Sequence, residues 1–179
     1  MIRIQPVNWD HIKRHYAWNN DPELNYFDSD FPHEQESFEA FTRRLRHIQQ
    51  DEHSPIHIRE IIHEADQTLI GIVDIHEIDR INCKCQIECT IADKRYENQG
   101  LGTQAFRLAV RYCFEEMKMN KVMSSAFDFN EKWIRILQNL GFAQEGRLRQ
   151  HAVKDGRYCD KLIFAMLQEE YETASIAHL

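Results

Sequence analysis

The chain has 179 residues, 42% of them hydrophobic and 28% charged, with a formal net charge of -7. This length suffices for one α/β domain with a real core, and no apolar run approaches the roughly 18 residues of a membrane span. The acidic balance excludes a general nucleic-acid binder, which wants a basic excess, and five cysteines, an odd count, point to reduced thiols.

Ile2 to Val7 reads as a short strand closed by Pro6, with no apolar signal-peptide core, so a cytoplasmic location is expected. Trp9 to Trp18 reads as a helix capped by Asn8 or Asp10, with Trp9, Ile12, Tyr16 and Ala17 near one face. Residues 19–42 carry Asp21, Glu23, Asp28, Asp30, Glu34, Glu36 and Glu39 without a Lys or Arg, broken by Pro22 and Pro32. They read as a solvated loop, or as an acidic lip that attracts a cationic substrate. A helix follows from about Glu34 to Gln50, with Phe38, Phe41, Leu45 and Ile48 at helical spacing.

From Pro55 the period changes to two. Strands are expected around Ile56 to Ile62, from Leu69 to Ile78 and from Cys83 to Ala92, joined by short turns as antiparallel neighbours. A glycine turn at Gly100 and Gly102 opens an amphipathic helix bearing Leu101, Ala105, Leu108, Ala109, Tyr112, Cys113 and Met117, ending near Met119. Lys121 to Phe129 reads as a strand. Asn130 caps a short helix that Gly141 ends. Two closing strands, Ala143 to Val153 and Arg157 to Leu167, meet at Lys154-Asp155-Gly156, and the tail after about Glu170 is expected to fray. No linker or repeat divides the chain, so residues 1–179 are expected to form a single domain.

The chemistry gathers at the glycine turn. A strand that restarts as a helix there aims free N–H groups and the positive end of the helix dipole at one point, a place for a phosphate or pyrophosphate. Gly100 to Ala105 formally matches the dinucleotide pattern G-x-G-x-x-A, but three antiparallel strands precede it, which ranks a nucleotide-cofactor oxidoreductase well behind. There is no P-loop ending. Cys83, Cys85 and Cys89 lack zinc spacing and no H-E-x-x-H occurs, so no metal site is expected. His57, His63 and His76 read as surface or substrate-facing strand residues.

The order of elements, the run Gln99 to Thr103 and the run Asn130 to Phe142 together resemble the GNAT superfamily of acetyl-CoA-dependent N-acetyltransferases, over nearly the whole chain. The second run is similar to the family's N-x-x-x-I-x-x-(Y)-x-x-L-G-F helix. Glu145 to Arg149 and Asp155 to Asp160 resemble the branch with ribosomal-protein N-terminal and spermidine acetyltransferases.

The resemblance implies an α/β fold with a mixed, mostly antiparallel sheet that splays open after the strand ending near Ile91. The pantetheine arm of acetyl-CoA would pair with Cys89, Thr90 and Ile91, and the pyrophosphate would lie on the N–H groups of Asn98, Gln99, Gly100, Leu101, Gly102 and Thr103. Asn130 matches the position that contacts the CoA arm. Glu97 stands where the family has Arg or Gln, so Lys94 or Arg95 is left to supply positive charge.

Acyl transfer from a thioester needs a base for the protonated amine, an oxyanion donor and a tolerable leaving group. Gln86 and Leu137 occupy the family's usual base and acid positions. Glu88, two residues along the same strand face, is the candidate base, and Tyr158 a substitute acid. The expected function is acetyl transfer from acetyl-CoA to a primary amine of a cationic small molecule or a protein N-terminus. The alternative is a catalytically weak CoA-binding or sensor protein. The expected partners are the amine acceptor and, in a homodimer, a second copy of the chain, with no membrane.

Overall fold

The computed structural model describes residues 1–32 and 34–178, and their side chains apart from Asp28 and residues 175–178. The side chain of Asp28, one of the acids in the expected lip, therefore lies outside the described residues. Seven strands form one sheet: β1 (Ile2–Pro6), β2 (His57–His63), β3 (Thr68–Asp79), β4 (Lys84–Ile91), β5 (Lys121–Phe127), β6 (Ala143–Lys154) and β7 (Arg157–Leu167). Their spatial order is β1-β2-β3-β4-β5-β7-β6. All neighbours are antiparallel except β4 and β5. That parallel pair holds register only at Lys84↔Lys121, Cys85↔Val122 and Gln86↔Met123. Beyond Gln86 the strands part, so the sheet splays as expected. The mostly antiparallel order also removes the doubly wound sheet that the dinucleotide reading needs.

Period-two alternation decides what each sheet face carries. On one face Val73, Ile75, Cys85 and Ile87 are buried against Ala105, Phe106 and Ala109 of α4 (Leu101–Arg111). The register aligns Ile58, Glu60, Asp74, His76, Gln86 and Glu88 on the other. That face is covered by α1 (Ile12–Asn19), α2 (Pro22–Asp28) and α3 (Phe38–Gln50). Glu60 there is fully buried and accepts from His15 Nε2 at 2.9 Å, Gln5 Nε2 at 2.9 Å and the Asn8 N–H at 3.1 Å, with His11 Nδ1 at 3.0 Å. This network ties α1 to β2. His15, rather than Ala17, is thus the residue α1 buries.

Two boundaries differ from expectation for clear local reasons. The stretch read as a loop contains α2, because Asp21 caps it by accepting from the Glu23 N–H and Pro22 sits in the first turn, where its missing N–H costs nothing. Pro22 therefore starts a helix instead of breaking one. Helix α3 begins at Phe38, where Ser37 accepts from the Ala40 N–H. Helix α4 runs on as a π-helical turn over Tyr112–Glu116. Helix α5 (Glu131–Asn139) is capped by Asn130 and closed by Gly141, and α6 (Gln168–His178) covers the stretch where fraying is expected. The β6–β7 turn has positive φ at Asp155 and Gly156, as an Asp-Gly hairpin requires.

Candidate active site

A cleft of about 740 Å³ opens where β4 and β5 part. Glu88, Cys89, Thr90 and Ile91 form one wall and Ser125, Ala126 and Phe127 the other. Gly71 shapes the first wall from behind: a Cβ there would stand 2.1 Å from the Thr90 carbonyl oxygen.

The first turn of α4 closes one end. Its first helical bond runs from the Gln104 N–H to the Gly100 carbonyl at 3.2 Å. The N–H groups of Leu101, Gly102 and Thr103 precede the helical ladder and have no intrahelical acceptor. Asn98 and Gly100 both have positive φ, at 58° and 76°, which turns the chain tightly into the helix. A Cβ on Gly102 would meet only Ile91 Cγ1, at 3.7 Å, so the space above this turn is open. An amide-lined hollow at a helix N-terminus suits a pyrophosphate.

The charge around the hollow differs from the sequence reading. Arg95 is spent on Asp93, with contacts of 3.0 and 2.7 Å, and its hydrogen bonds pull that carboxyl down to about 2. Lys94 reaches the cleft but bridges to Glu23 at 2.6 Å. Glu97 also lines the mouth. Lys132 of α5, which the sequence reading missed, supplies a cation there, donating to Asn98 Oδ1 at 2.9 Å.

A second cavity of about 260 Å³ lies between α1, α3 and the sheet, and shares Leu24, Glu88 and Thr90 with the cleft. Glu88 thus stands at the junction. Asp74, directly opposite it on β3, lines the second cavity. Burial first, and then the Glu88 charge, push the Asp74 carboxyl up to about 6. His76 Nε2 lies 3.5 Å from Glu88 Oε1, and that carboxylate raises the imidazole above its ordinary range against the pull of burial. Asp74 was missed in the sequence. Its alternation with His76 could have given its face, but not its place opposite Glu88.

Of the residues singled out in the sequence, Glu88, Cys89, Thr90, Ile91, Asn98, Gly100, Gly102, Thr103 and Asn130 all line the cleft. Leu101 turns its side chain into the core and can offer only its N–H. Gln99 donates to the Arg95 carbonyl at 2.7 Å and helps fix the turn. Tyr158 is not brought to the site: it is 70% exposed, beside the β6–β7 turn. Leu137 is fully buried in the core, so that position offers no acid. Gln86 reaches across the split to Ser125 Oγ at 3.4 Å. Among the described residues no cluster could hold a metal ion.

Three acids of the acidic stretch are paired. Glu23 pairs with Lys94, Glu36 with Arg44 at 2.7 Å, and Asp30 with Lys161 at 2.7 and 2.9 Å. Helix α2 lays Leu24 and Phe27 over the cleft. It is fastened to the β6–β7 hairpin by Tyr26 to Asp155 and Lys154 to the Ser29 carbonyl, each at 2.7 Å. Two further carboxyls lie deeper, Asp74 and Glu88, the latter facing His76. Glu88 thus lies between a cleft whose amide-lined end suits an anion and a chamber that holds a second carboxyl, Asp74.

Comparison with known proteins identifies the family. The family model described as an acetyltransferase (GNAT) domain matches residues 2–143. Putative ribosomal N-acetyltransferase YdaF of Bacillus subtilis is 34% identical over 107 residues, 60% of this chain and 58% of that protein. A prophage-derived N-acetyltransferase of the same organism, YokL, is matched over 64% of its length, so the chain spans less than two thirds of these two relatives. Spermidine N(1)-acetyltransferase of Escherichia coli K12 is 25% identical over 95% of this chain and 88% of its own. The crystal structure of spermidine N-acetyltransferase from Vibrio cholerae with CoA and spermine superposes with a TM-score of 0.87 at 21% identity, covering 96% of this chain and 98% of that one. The chain belongs to the GNAT acetyltransferase family.

Proposed function

We propose that this GNAT-family chain is an acetyl-CoA-dependent N-acetyltransferase whose acceptor is a primary amine on a cationic small molecule or a protein N-terminus. The observation that carries the reading is the position of Glu88, shared by the long cleft and the acidic chamber.

In this reading the N–H groups of Asn98 to Thr103 hold the pyrophosphate, with Lys132 adding charge, and the Cys89 to Ile91 wall lies along the pantetheine arm. Asn130 accepts from the Trp133 N–H through Oδ1, which leaves its amide NH₂ for that arm. Acetyl-CoA supplies the thioester carbonyl. Asp74 and Glu88 draw the ammonium into the chamber, and Glu88 takes its proton. The nitrogen then attacks. The thiolate, with an ordinary pKa of about 8.5, leaves without an assigned protein acid. Tyr158 has no part in this account.

We also read residues 1–179 as one working domain and its site of action as the cytoplasm, in keeping with free thiols at all five cysteines. A homodimer is the assembly we propose, with the outer edge of β6, one of the two edge strands of the sheet, as a candidate contact. Light scattering on the purified chain tests it.

The testing experiment is an acetyl-transfer screen over polyamines, amino acids, aminoglycosides and N-terminal peptides. Turnover of a cationic amine is the expected result. Tight CoA binding without turnover of any amine would instead favour a sensor protein, a reading that buried Leu137 supports.

A further inference from the structure

Glu88 faces two cavities, and with acceptor and donor both bound it would be cut off from bulk water. A proton taken there needs a way out before the next turnover. His76 stands beside it on the same sheet face. Its Nε2 is buried, makes no hydrogen bond to the described residues, and lies 3.5 Å from Glu88 Oε1. The His76 side chain is 25% exposed, as is that of Glu88, but His76 lines neither cavity, so its exposed part stays open when both are filled. The buried nitrogen thus faces the Glu88 carboxylate at a long contact and meets no other partner among the described residues; holding it so is costly, and a ring that spans from a carboxylate to water has a use for it.

We propose that His76 is a positioning and proton-exit residue: it orients the Glu88 carboxylate and carries the acceptor's proton from Glu88 to solvent. The inference rests on the acetyl-transfer reading above. The acceptor's N–H bond breaks, its electron pair stays on nitrogen, and the proton goes to Glu88 Oε. That O–H breaks in turn as the proton moves to His76 Nε2, and the imidazolium releases its Nδ1 proton to water. The N–C bond forms, the C–S bond breaks, and the electron pair leaves on sulfur, which takes the second proton shed by nitrogen. One ammonium and one thioester give one amide, one thiol and one proton in solution.

The route works only while His76 is neutral. The groups acting on it are Glu88 from β4 and Asp74 and Glu77 from its own strand. His15 of α1 and Arg44 of α3 act on Asp74 from the helices above. Carboxylates dominate, so the imidazolium is favoured, and the rate should rise with pH as that proton is lost.

The test compares wild type with His76→Gln, using an amine found in the screen. Gln can hydrogen-bond but cannot carry a proton. The expected result is kcat lower by about 100-fold at neutral pH, the low end for a proton-transfer group, loss of the acidic limb set by His76, unchanged acetyl-CoA affinity by calorimetry, and partial rescue by added imidazole. A variant that keeps both kcat and the acidic limb overturns the proposal. Imidazole NMR of the full chain reads the coupling without activity: in Glu88→Gln the His76 pKa should fall from its raised value, and an unmoved His76 titration also overturns the proposal. If wild type acetylates no amine, the acetyl-transfer reading fails and the proton exit with it. If wild type turns over and only the His76 results fail, the acetyl-transfer reading stands.

Discussion

Gly71 on β3 and Thr90 on β4 approach so closely that a Cβ on Gly71 would sit 2.1 Å from the Thr90 carbonyl oxygen and 3.0 Å from the Ile91 Cα. Both obstacles are backbone, so neither can swing aside. Gly71→Ala must therefore push β4, the cleft wall, away from β3. Overpacking of this kind costs about 1–3 kcal/mol. Urea unfolding should show a loss of that size, and calorimetry a weaker acetyl-CoA affinity. Wild-type stability would mean that the two strands are further apart than described.

Gly102 is the opposite case. Its added Cβ meets only a side-chain carbon of Ile91 at 3.7 Å, so the fold accommodates a larger residue. A valine there instead fills the hollow in front of the amide groups. Gly102→Val should unfold at a near-normal denaturant midpoint while binding acetyl-CoA about 10-fold more weakly or worse, a loss of about 1.4 kcal/mol for each factor of ten. Unchanged affinity would mean that the pyrophosphate lies elsewhere.

These two glycines mark where the sequence was legible and where it was not. The run from Gln99 to Thr103 announces itself, because turn glycines and the helix that follows are local features. Gly71 reads as an ordinary glycine in a strand, because its constraint comes from a neighbour about twenty residues away in the chain. The same division runs through the site. Glu88 lies on a strand with clear alternation, and alternation alone puts it on the right face. Asp74 becomes visible only once the β3–β4 register sets it opposite Glu88. Lys132 belongs to a recognisable helix, but its reach to Asn98 depends on how α5 docks. Helix α2 was hidden by its composition: an acidic, proline-bearing stretch looks like a loop until Asp21 and Pro22 are read as a cap and a first turn.

Glu88→Gln keeps the shape of the junction and removes the proton acceptor. Loss of a positioned general base costs about 100- to 10,000-fold. The variant should show that loss in kcat at neutral pH, with acetyl-CoA affinity near normal because the cradle is untouched. A wild-type pH–rate profile in this variant would remove Glu88 as the base.

Asp74 gives a stability prediction whose sign follows from its raised carboxyl. The folded state holds this proton up to about pH 6, above the ordinary value of 3.8. The unfolded chain loses it first, so this residue's contribution to stability falls as pH rises from about 4 to 6. Asp74→Asn removes that loss. The variant should match wild type in thermal midpoint near pH 4 and exceed it at neutral pH, while binding the cationic acceptor more weakly. A parallel pH dependence in the two proteins would show that Asp74 is not held protonated.

Glu60 carries the reverse sign. Burial pushes its carboxyl up, but the bonds from His15, His11, Gln5 and the Asn8 N–H prevail and hold it below its usual value. A depressed carboxyl adds stability above its unfolded pKa, near 4.3, and that stability is lost as pH falls through the folded value. Acid unfolding of wild type should therefore include detachment of α1 from β2, seen as early loss of Trp9 and Trp18 fluorescence signals. Removing one partner of a buried charged pair costs about 3–5 kcal/mol, so Glu60→Ala should be severely destabilised at neutral pH. Glu60→Gln separates charge from shape: its stability should be lower at neutral pH and should fall less than that of wild type as the pH drops through the acid range. A variant as acid-sensitive as wild type would place the acid transition in another carboxylate.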